Sequence, residues 1–525
     1  MTDNRFRRLP VGIQSFKVIR EENYLYVDKS DIVWNMVNLG DKYNYLSRPR
    51  RFGKSVLVDT LESYLEGRKD LFEGLKIMQL EKDWKQYPVI RLDMSRGGAN
   101  EATLRSYLNL HFKDYEEKYN ITPDPTAMLA DRFHAIITTA YKQTGLRVAV
   151  LIDEYDSPLQ HSWKTPEHEK CTGVYREVFA ILKADDEYEQ FIFITGITKF
   201  TQISLFSVLN NLSNISFMPE YATICGITEE EIKENFMPEL KQMSEANNWS
   251  VQETHDRLKA YYDGYHFSRR NMVDVYNPYS LVNALKSKEI INFWASSGAT
   301  SLLPKFVDNA ELRMKNFEHC RIMRNTLELS DVSGGGAELF LYQSGYLTIK
   351  DSDEFGYILG FPNEEVKQAL YEMALPALTL RAKSDIQSIQ ANLYAQLGTG
   401  QIDEAMKSLK ALIADVPYSN KKLASMDMEE RYRLIISTIL NAIGLNVEVE
   451  KMISTGRIDM TVKTSRYIYV IELKLRNNGG KVAATKQILN RQYMEPFKAD
   501  KRKVIGLGIE LDEEGKGLLD WKRAE

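Results

Sequence analysis

The chain has 525 residues, and its 68 Lys and Arg against 73 Asp and Glu leave a formal net charge of −5, which excludes a histone-like or arginine-rich binder. With 43% hydrophobic and 27% charged residues it is not a disordered chain, and at about 150 residues per domain its length suits roughly three or four folding units. Three separated cysteines, Cys171, Cys225 and Cys320, exclude a disulfide framework and point to a reducing cytoplasm, while the start MTDNRFRRLP and short apolar runs such as VAVLI predict no signal peptide and no membrane partner.

From about residue 43 to 200, strand-like runs alternate with helical patterns: YNYLS, YPVIRLDMS (87–95), LRVAVLIDE (146–154) and FIFITGI (191–197). The alternation predicts an α/β domain over residues 1–225, a buried parallel sheet with helices on both faces. The strand at 87–95 is expected to separate the first strand from the one at 148–152. Residues 226–375 read as a helical lid with a candidate winged-helix unit, because a helical stretch precedes two β-patterned runs in GYLTIKDSDEFGYILGFPNEEV (345–366). Tyr261, Tyr262, Tyr265 and Phe267 are expected in its core, Asp263 and Asn277-Pro278 in turns, and SGGGA (333–337) in a turn between helices. Arg269 and Arg270 are candidates for sensing a nucleotide. Residues 376–525 hold connecting helices and a module with its core at about 421–510. Its helix MEERYRLIISTILNAIG stops at Gly444, and strands NVEVEKM, GRIDMTVK and YIYVIELKL, a helix and the strand KVIGLGI follow, an α-β-β-β-α-β order. Residues 421–525 carry 20 Lys and Arg against 15 Asp and Glu, a surplus that suits either a polyanionic partner or a solvated mixed surface.

Two constellations carry chemistry. In SRPRRFGKSVLVDTLESYL, Gly53-Lys54-Ser55 opens a helix directly after a strand, so backbone N–H groups of a tight turn can cradle phosphates while Lys54 reaches the β/γ-phosphates and Ser55 holds Mg²⁺. The candidate ATP-binding segment runs through Arg50, Arg51, Phe52, Gly53, Lys54, Ser55 and Val56, with Arg48 where the first glycine of the usual loop would stand. About a hundred residues on, VAVLI runs into Asp153, expected to support Mg²⁺, and Glu154, expected to orient or deprotonate the attacking water. Thr195, ahead of Thr198 and Lys199, is either a sensor of the γ-phosphate or an ordinary strand-end hydroxyl. In the tail, Asp459 on one strand and Glu472 on the next can grip a second Mg²⁺, with Lys474 on the same strand face as Glu472. The seven histidines show no paired ligand spacing, so a catalytic zinc is not expected.

The first 300 residues resemble the AAA-ATPase-like family of bacterial proteins through LPVGIQSFKVIREENYLYVDKS, SRPRRFGKS, VLIDEYDSPL, FITGITKFTQISLFSVLNNL and YATICGITEEEI. In that family the loop is arginine-rich, which accounts for Arg48. The tail pattern, Asp459 followed by Glu472-Leu473-Lys474, resembles the PD-(D/E)XK nuclease superfamily, with Ile458 in place of the name-giving proline. That resemblance implies a restriction-endonuclease-like α/β module and adds Glu430, with Glu429 as its adjacent competitor, and Gln487 followed by Tyr493.

Together these features predict an ATP-binding protein, an ATPase coupled to a Mg²⁺-dependent nuclease acting on DNA, with RNA kept open. The alternative is a nucleotide-switched interaction protein, oligomeric or bound to a protein partner, whose nuclease-like domain binds without cleaving.

Overall fold

In the computed structural model, residues 8–124, 126–200, 212–296, 303, 317–330, 336–379, 383–414 and 427–524 are described. The apolar runs of the first half form strands β1 (Tyr43–Ser47), β2 (Val89–Asp93), β3 (Val148–Asp153), β4 (Glu189–Gly196) and β5 (Ser213–Asn214), parallel and ordered β2-β3-β4-β1-β5. Every residue of β3 is buried, as a strand covered on both faces requires. One neighbour relation differs from expectation. The strand between β1 and β3 is β4, and β2 lies outside β3 at the sheet edge. Both runs are apolar enough to be central, and at the edge β2 carries the half-buried Arg91, ion-paired to Asp59 at 2.7 Å and Glu62 at 2.6 Å. Helix α1 (Lys54–Leu65) follows β1, and α2 (Leu129–Thr144) leads to β3 through Gly145, whose φ of +69° ends that helix.

Beyond the sheet, α3 (Glu229–Asn235) begins with a capping box between Thr228 and Glu231, and α4 (Met237–Asn247), α5 (Val251–Tyr262) and α6 (Pro278–Ser287) follow. Asn277 accepts the Tyr279 and Ser280 N–H groups, so the expected Asn-Pro turn is the N-cap of α6. These helices bury Phe236, Leu240, Leu258, Tyr262 and Leu281 together. Strands β6 (Ile227–Thr228) and β7 (Val275–Tyr276) pair across them. Next come β8 (Cys320–Met323), α7 (Arg324–Leu329), α8 (Gly336–Ser344), β9 (Thr348–Ser352) and β10 (Gly356–Gly360), an antiparallel sheet ordered β8-β10-β9. This strand, helix, helix, hairpin succession follows the element order of a winged helix. Residues 333–335 of the SGGGA stretch and 201–211 of the FTQISLFSVLNN stretch lie outside the described residues.

The chain divides into two units at Asn363 and Glu364, and the described residues 226–296, 303, 317–330 and 336–363 fall in the unit of the first sheet. In the second unit α9 (Glu364–Thr379), α10 (Lys383–Thr399) and α11 (Ile402–Ala414) precede α12 (Met428–Ala442). Strands β11 (Asn446–Ile453), β12 (Gly456–Lys463), β13 (Tyr467–Leu475), β14 (Lys503–Leu511) and β15 (Leu518–Ala524) form one sheet in sequence order, with α13 (Gly480–Asn490) crossing between the parallel pair β13 and β14. One cluster buries Ile435, Ile439, Met460 and Ile471, and a second buries Ile458, Val470 and Ile488. Alternation along β13 divides its side chains between the two clusters, whereas on β12 Ile458 and Met460, two residues apart, fall in different clusters. β15 adds a strand beyond the expected order, and among the described residues no helix is long and apolar enough to cross a membrane.

Two candidate active sites

The first site is built at the carboxyl ends of parallel strands, where β1 delivers Ser47 opposite Gly196 and β3 ends on Asp153. Gly53 takes a φ of +87°, which a residue with a Cβ rarely adopts, and turns the chain into α1. Lys54 is buried, and its Nζ donates to the carbonyl oxygens of Arg48 and Pro49, each at 2.9 Å. Among the described residues no carboxylate lies within ion-pair distance of this ammonium. Burial lowers its pKa against the opposing pull of Glu154 and Asp153. A desolvated cation held only by carbonyls, beside a cavity of about 560 Å³ lined by Arg50, Arg51, Phe52, Gly53, Lys54, Ser55, Val56 and Glu154, fits a polyphosphate.

The acids sit as the strand-then-acid pattern requires. Burial raises Asp153, while a hydrogen bond from Ser55 and the charge of Lys54 favour its ionised form, so the pair Ser55–Asp153 fits a divalent cation. Glu154 turns out of the strand at a φ of +46°, lines the cavity, and is raised first by burial. Thr195 is fully buried and donates to the Leu46 carbonyl at 2.9 Å, the bonding of a strand-end hydroxyl, and it does not line the cavity. Arg269 and Arg270 are likewise absent from that lining.

Arg48, at the place of the usual first glycine, is a tie between the loop and its surroundings. Its side chain is buried and donates to the carbonyls of Ser47 (2.8 Å), Ser216 (3.0 Å) and Tyr221 (2.8 Å), with its guanidinium 4.1 Å from the Phe267 ring. Phe52 packs edge-on against Tyr265 and Phe267, so the expected aromatic core is also the backing of the loop. Asp156 was not singled out in the sequence. It accepts from Ile197 N (3.0 Å), Thr198 N (2.6 Å) and Thr198 Oγ1 (2.6 Å), tying the acidic turn to the end of β4, and only its place two residues after Glu154 hinted at this.

The second site lies where α12 meets β12 and β13. Met460 pairs with Ile471 at the end of the β12–β13 ladder, with Asp459 directly before Met460 and Glu472 directly after Ile471, so both carboxylates stand just beyond the last pair. Asp459 Oδ2 accepts from Leu473 N at 2.9 Å, and Glu472 Oε1 accepts from Lys474 Nζ at 3.1 Å and from Gln487 Nε2, which also reaches Tyr493 Oη at 3.3 Å. Burial, reinforced by the Asp459 charge, pushes Glu472 up to about 7. For Lys474 burial works downward, but Glu472 and Asp459 outweigh it and hold the ammonium above its usual value. Glu472 Oε2 is buried without a hydrogen-bond partner. An orphaned carboxylate oxygen beside a second carboxylate is the donor set a hard divalent cation needs, so Asp459 and Glu472 fit Mg²⁺.

On α12 the geometry divides the two glutamates. Glu429 Oε1 accepts from Leu475 N and Asn478 Nδ2, each at 3.0 Å, whereas Glu430 is exposed at the rim of the same cavity of about 530 Å³. The glutamate bonded to the strand end is therefore Glu429. Arg433, Glu450 and Arg457 also line this cavity and carried no motif signal.

Compared with known proteins, residues 10–206 match the family model for a predicted AAA-ATPase, and residues 427–521 match the PD-(D/E)XK nuclease superfamily. Across 530 aligned residues the chain is 31% identical to the "Uncharacterized protein in vnfD 5'region" of Azotobacter chroococcum mcd 1, covering 98% of each chain.

Proposed function

Because the chain belongs to the AAA-ATPase-like family and carries a C-terminal PD-(D/E)XK nuclease superfamily domain, we propose that it is an ATP-binding hydrolase whose second site cleaves phosphodiester bonds in DNA or RNA. The observation that carries this reading is the orphaned oxygen of Glu472 beside Asp459, with Lys474 and Gln487 holding its other oxygen. A bound Mg²⁺ supplies Lewis-acid polarisation of the phosphate and a more acidic water. Asp459 and Glu472 hold that ion. Gln487 fixes the orientation of Glu472, and Lys474, kept protonated, neutralises charge gathering on the phosphate. Glu429 anchors the end of β13, so that these side chains keep their spacing.

At the first site Lys54 and the N–H groups opening α1 bind the β/γ-phosphates, exchanging backbone carbonyls for phosphate oxygens as ammonium partners. Ser55 and Asp153 hold the nucleotide's Mg²⁺, and Glu154 orients the attacking water and accepts its proton. Arg50 and Arg51 add positive charge at the cavity wall. The nucleotide state is proposed to govern the second site. Cleavage of labelled DNA and RNA with Mn²⁺ or Mg²⁺, with and without ATP, tests the whole reading. Loss in Asp459→Ala is expected, and loss of any ATP effect in Lys54→Ala. Stable ATP binding with no cleavage under any condition would instead favour a nucleotide-switched interaction protein.

A further inference from the structure

The cavity at the end of the second sheet contains two side chains not used above. Arg433 lies four residues after Glu429 on α12, so both stand on one helix face. Its guanidinium spans two carboxylates, with Nη2 2.9 Å from Glu450 Oε1 and Nη1 3.4 Å from Asp459 Oδ1. Glu450 stands on the neighbouring strand β11. The β11–β12 ladder pairs Val449 with Met460 and Lys451 with Ile458, so Glu450 and Asp459 fall at the same level of the two strands without pairing. The Glu450–Asp459 pair is missing from the ladder, and Glu450 takes a φ of +54°, a left-handed conformation that a residue with a Cβ rarely adopts. The distortion falls on the residue that grips Arg433, and Arg457 holds the same Glu450 oxygen at 3.0 Å.

Six carboxylates and three cationic side chains line the cavity, so an entering phosphodiester meets a wall of net negative charge. A metal ion answers part of that repulsion, and an oriented guanidinium answers the rest. Two of the five N–H donors of Arg433 face carboxylates, leaving others for a phosphate oxygen. We infer that Arg433 is a further catalytic residue of the nuclease site, donating to a non-bridging oxygen of the scissile phosphate, and that Glu450 is the positioning residue that aims it. This rests on the nuclease reading. The unpartnered oxygen of Glu472, whose residue is 1% exposed, independently marks the same cavity as a ligand site. In the hydrolysis a water oxygen forms the new P–O bond, the ester P–O bond breaks, a water proton passes to a base and the leaving oxygen gains one. Arg433 donates hydrogen bonds throughout and transfers no proton.

The test compares full-length Arg433→Ala, Arg433→Lys, Glu450→Ala and Glu450→Gln with the parent and Asp459→Ala, by Mn²⁺ titration, Ca²⁺-dependent affinity for a labelled DNA duplex, and cleavage in Mn²⁺. For Arg433→Ala, Mn²⁺ affinity should equal the parent's or tighten up to about threefold, because a positive charge beside Asp459 has gone. Its Ca²⁺-dependent DNA affinity should fall about tenfold and its cleavage about 100-fold, with Lys restoring little because it lacks the planar fork. Glu450→Ala should cleave about tenfold more slowly, with Gln returning to within about threefold of the parent. Parent-like DNA binding and cleavage in Arg433→Ala would overturn the assignment. So would a loss of Mn²⁺ affinity matching that of Asp459→Ala, which would make Arg433 a structural support. If the parent binds DNA in Ca²⁺ yet does not cleave, the cleavage reading fails and the binding arm alone decides for or against Arg433. A parent with neither response overturns both.

Discussion

The two candidate sites bury charge in opposite senses. At the phosphate loop the under-compensated group is a cation, since Lys54 is desolvated and, among the described residues, bonded only to backbone carbonyls while its acids stand beyond ion-pair reach. At the end of the second sheet it is an anion, Glu472, with one oxygen satisfied by Lys474 and Gln487 and the other by nothing. The difference teaches that the charge of a missing ligand can be read from the sign of the group left short of partners. A buried cation short of carboxylates asks for phosphate, and a buried carboxylate short of donors asks for a metal ion.

The largest break in that contrast should come from Asp459→Ala, expected to slow phosphodiester cleavage on the order of 1000-fold, equivalent to ~4 kcal/mol of transition-state stabilisation. Mn²⁺ titration should show the same variant failing to bind metal at this site. Lys54→Ala should weaken ATP about 100-fold by calorimetry, because a charge-assisted hydrogen bond is worth up to about 3 kcal/mol. An unchanged ATP affinity would remove the phosphate-site side of the comparison. Restoring the usual glycine by Arg48→Gly should not improve binding. It should cost about 2–3 kcal/mol of unfolding free energy by denaturant titration, because three carbonyls lose their donor and Phe267 loses its stacked partner.

The pH response of Glu472 sharpens the anion side. Its carboxyl is raised from 4.5 to about 7, so between those values the folded chain keeps a proton that the unfolded chain releases. The stability this group contributes is fully present below 4.5 and is lost as pH rises through about 7. Glu472→Gln should therefore be more stable than the metal-free parent at pH ~8, by thermal melting, and lose this advantage at acid pH. In the parent, Mn²⁺ affinity should rise about tenfold per pH unit below pH 7 and level off above it, because proton and metal compete for one carboxylate. The smallest effect should separate adjacent residues on α12. Glu429→Ala should slow cleavage about tenfold through the freed Leu475 N–H, while Glu430→Ala stays within about twofold of the parent.

Most of the architecture was legible in the sequence. The β3 run ending in Asp153, the Gly53-Lys54-Ser55 helix start and the 459–472–474 spacing depend on strand period, helix capping and turn chemistry, which act over a few residues. What escaped had partners far along the chain. The place of β2 at the sheet edge depends on β3 taking β4, about forty residues further on, as its second neighbour. The choice between Glu429 and Glu430 depends on which side chain meets Leu475 N on another element.

The sequence by itself determined that two constellations share this chain, one a lysine after a glycine turn and one a set of carboxylates carried by successive strands. Tertiary structure alone decided that Arg48 is a buried tie between the loop and Phe267, that Thr195 spends its hydroxyl on Leu46, and that Arg433 lies against Glu450 and Asp459 while Lys474 lies against Glu472. Local patterns say which residues can stand on a face. Only the packing of distant segments says which charges are left without partners, and that shortage is what a ligand fills.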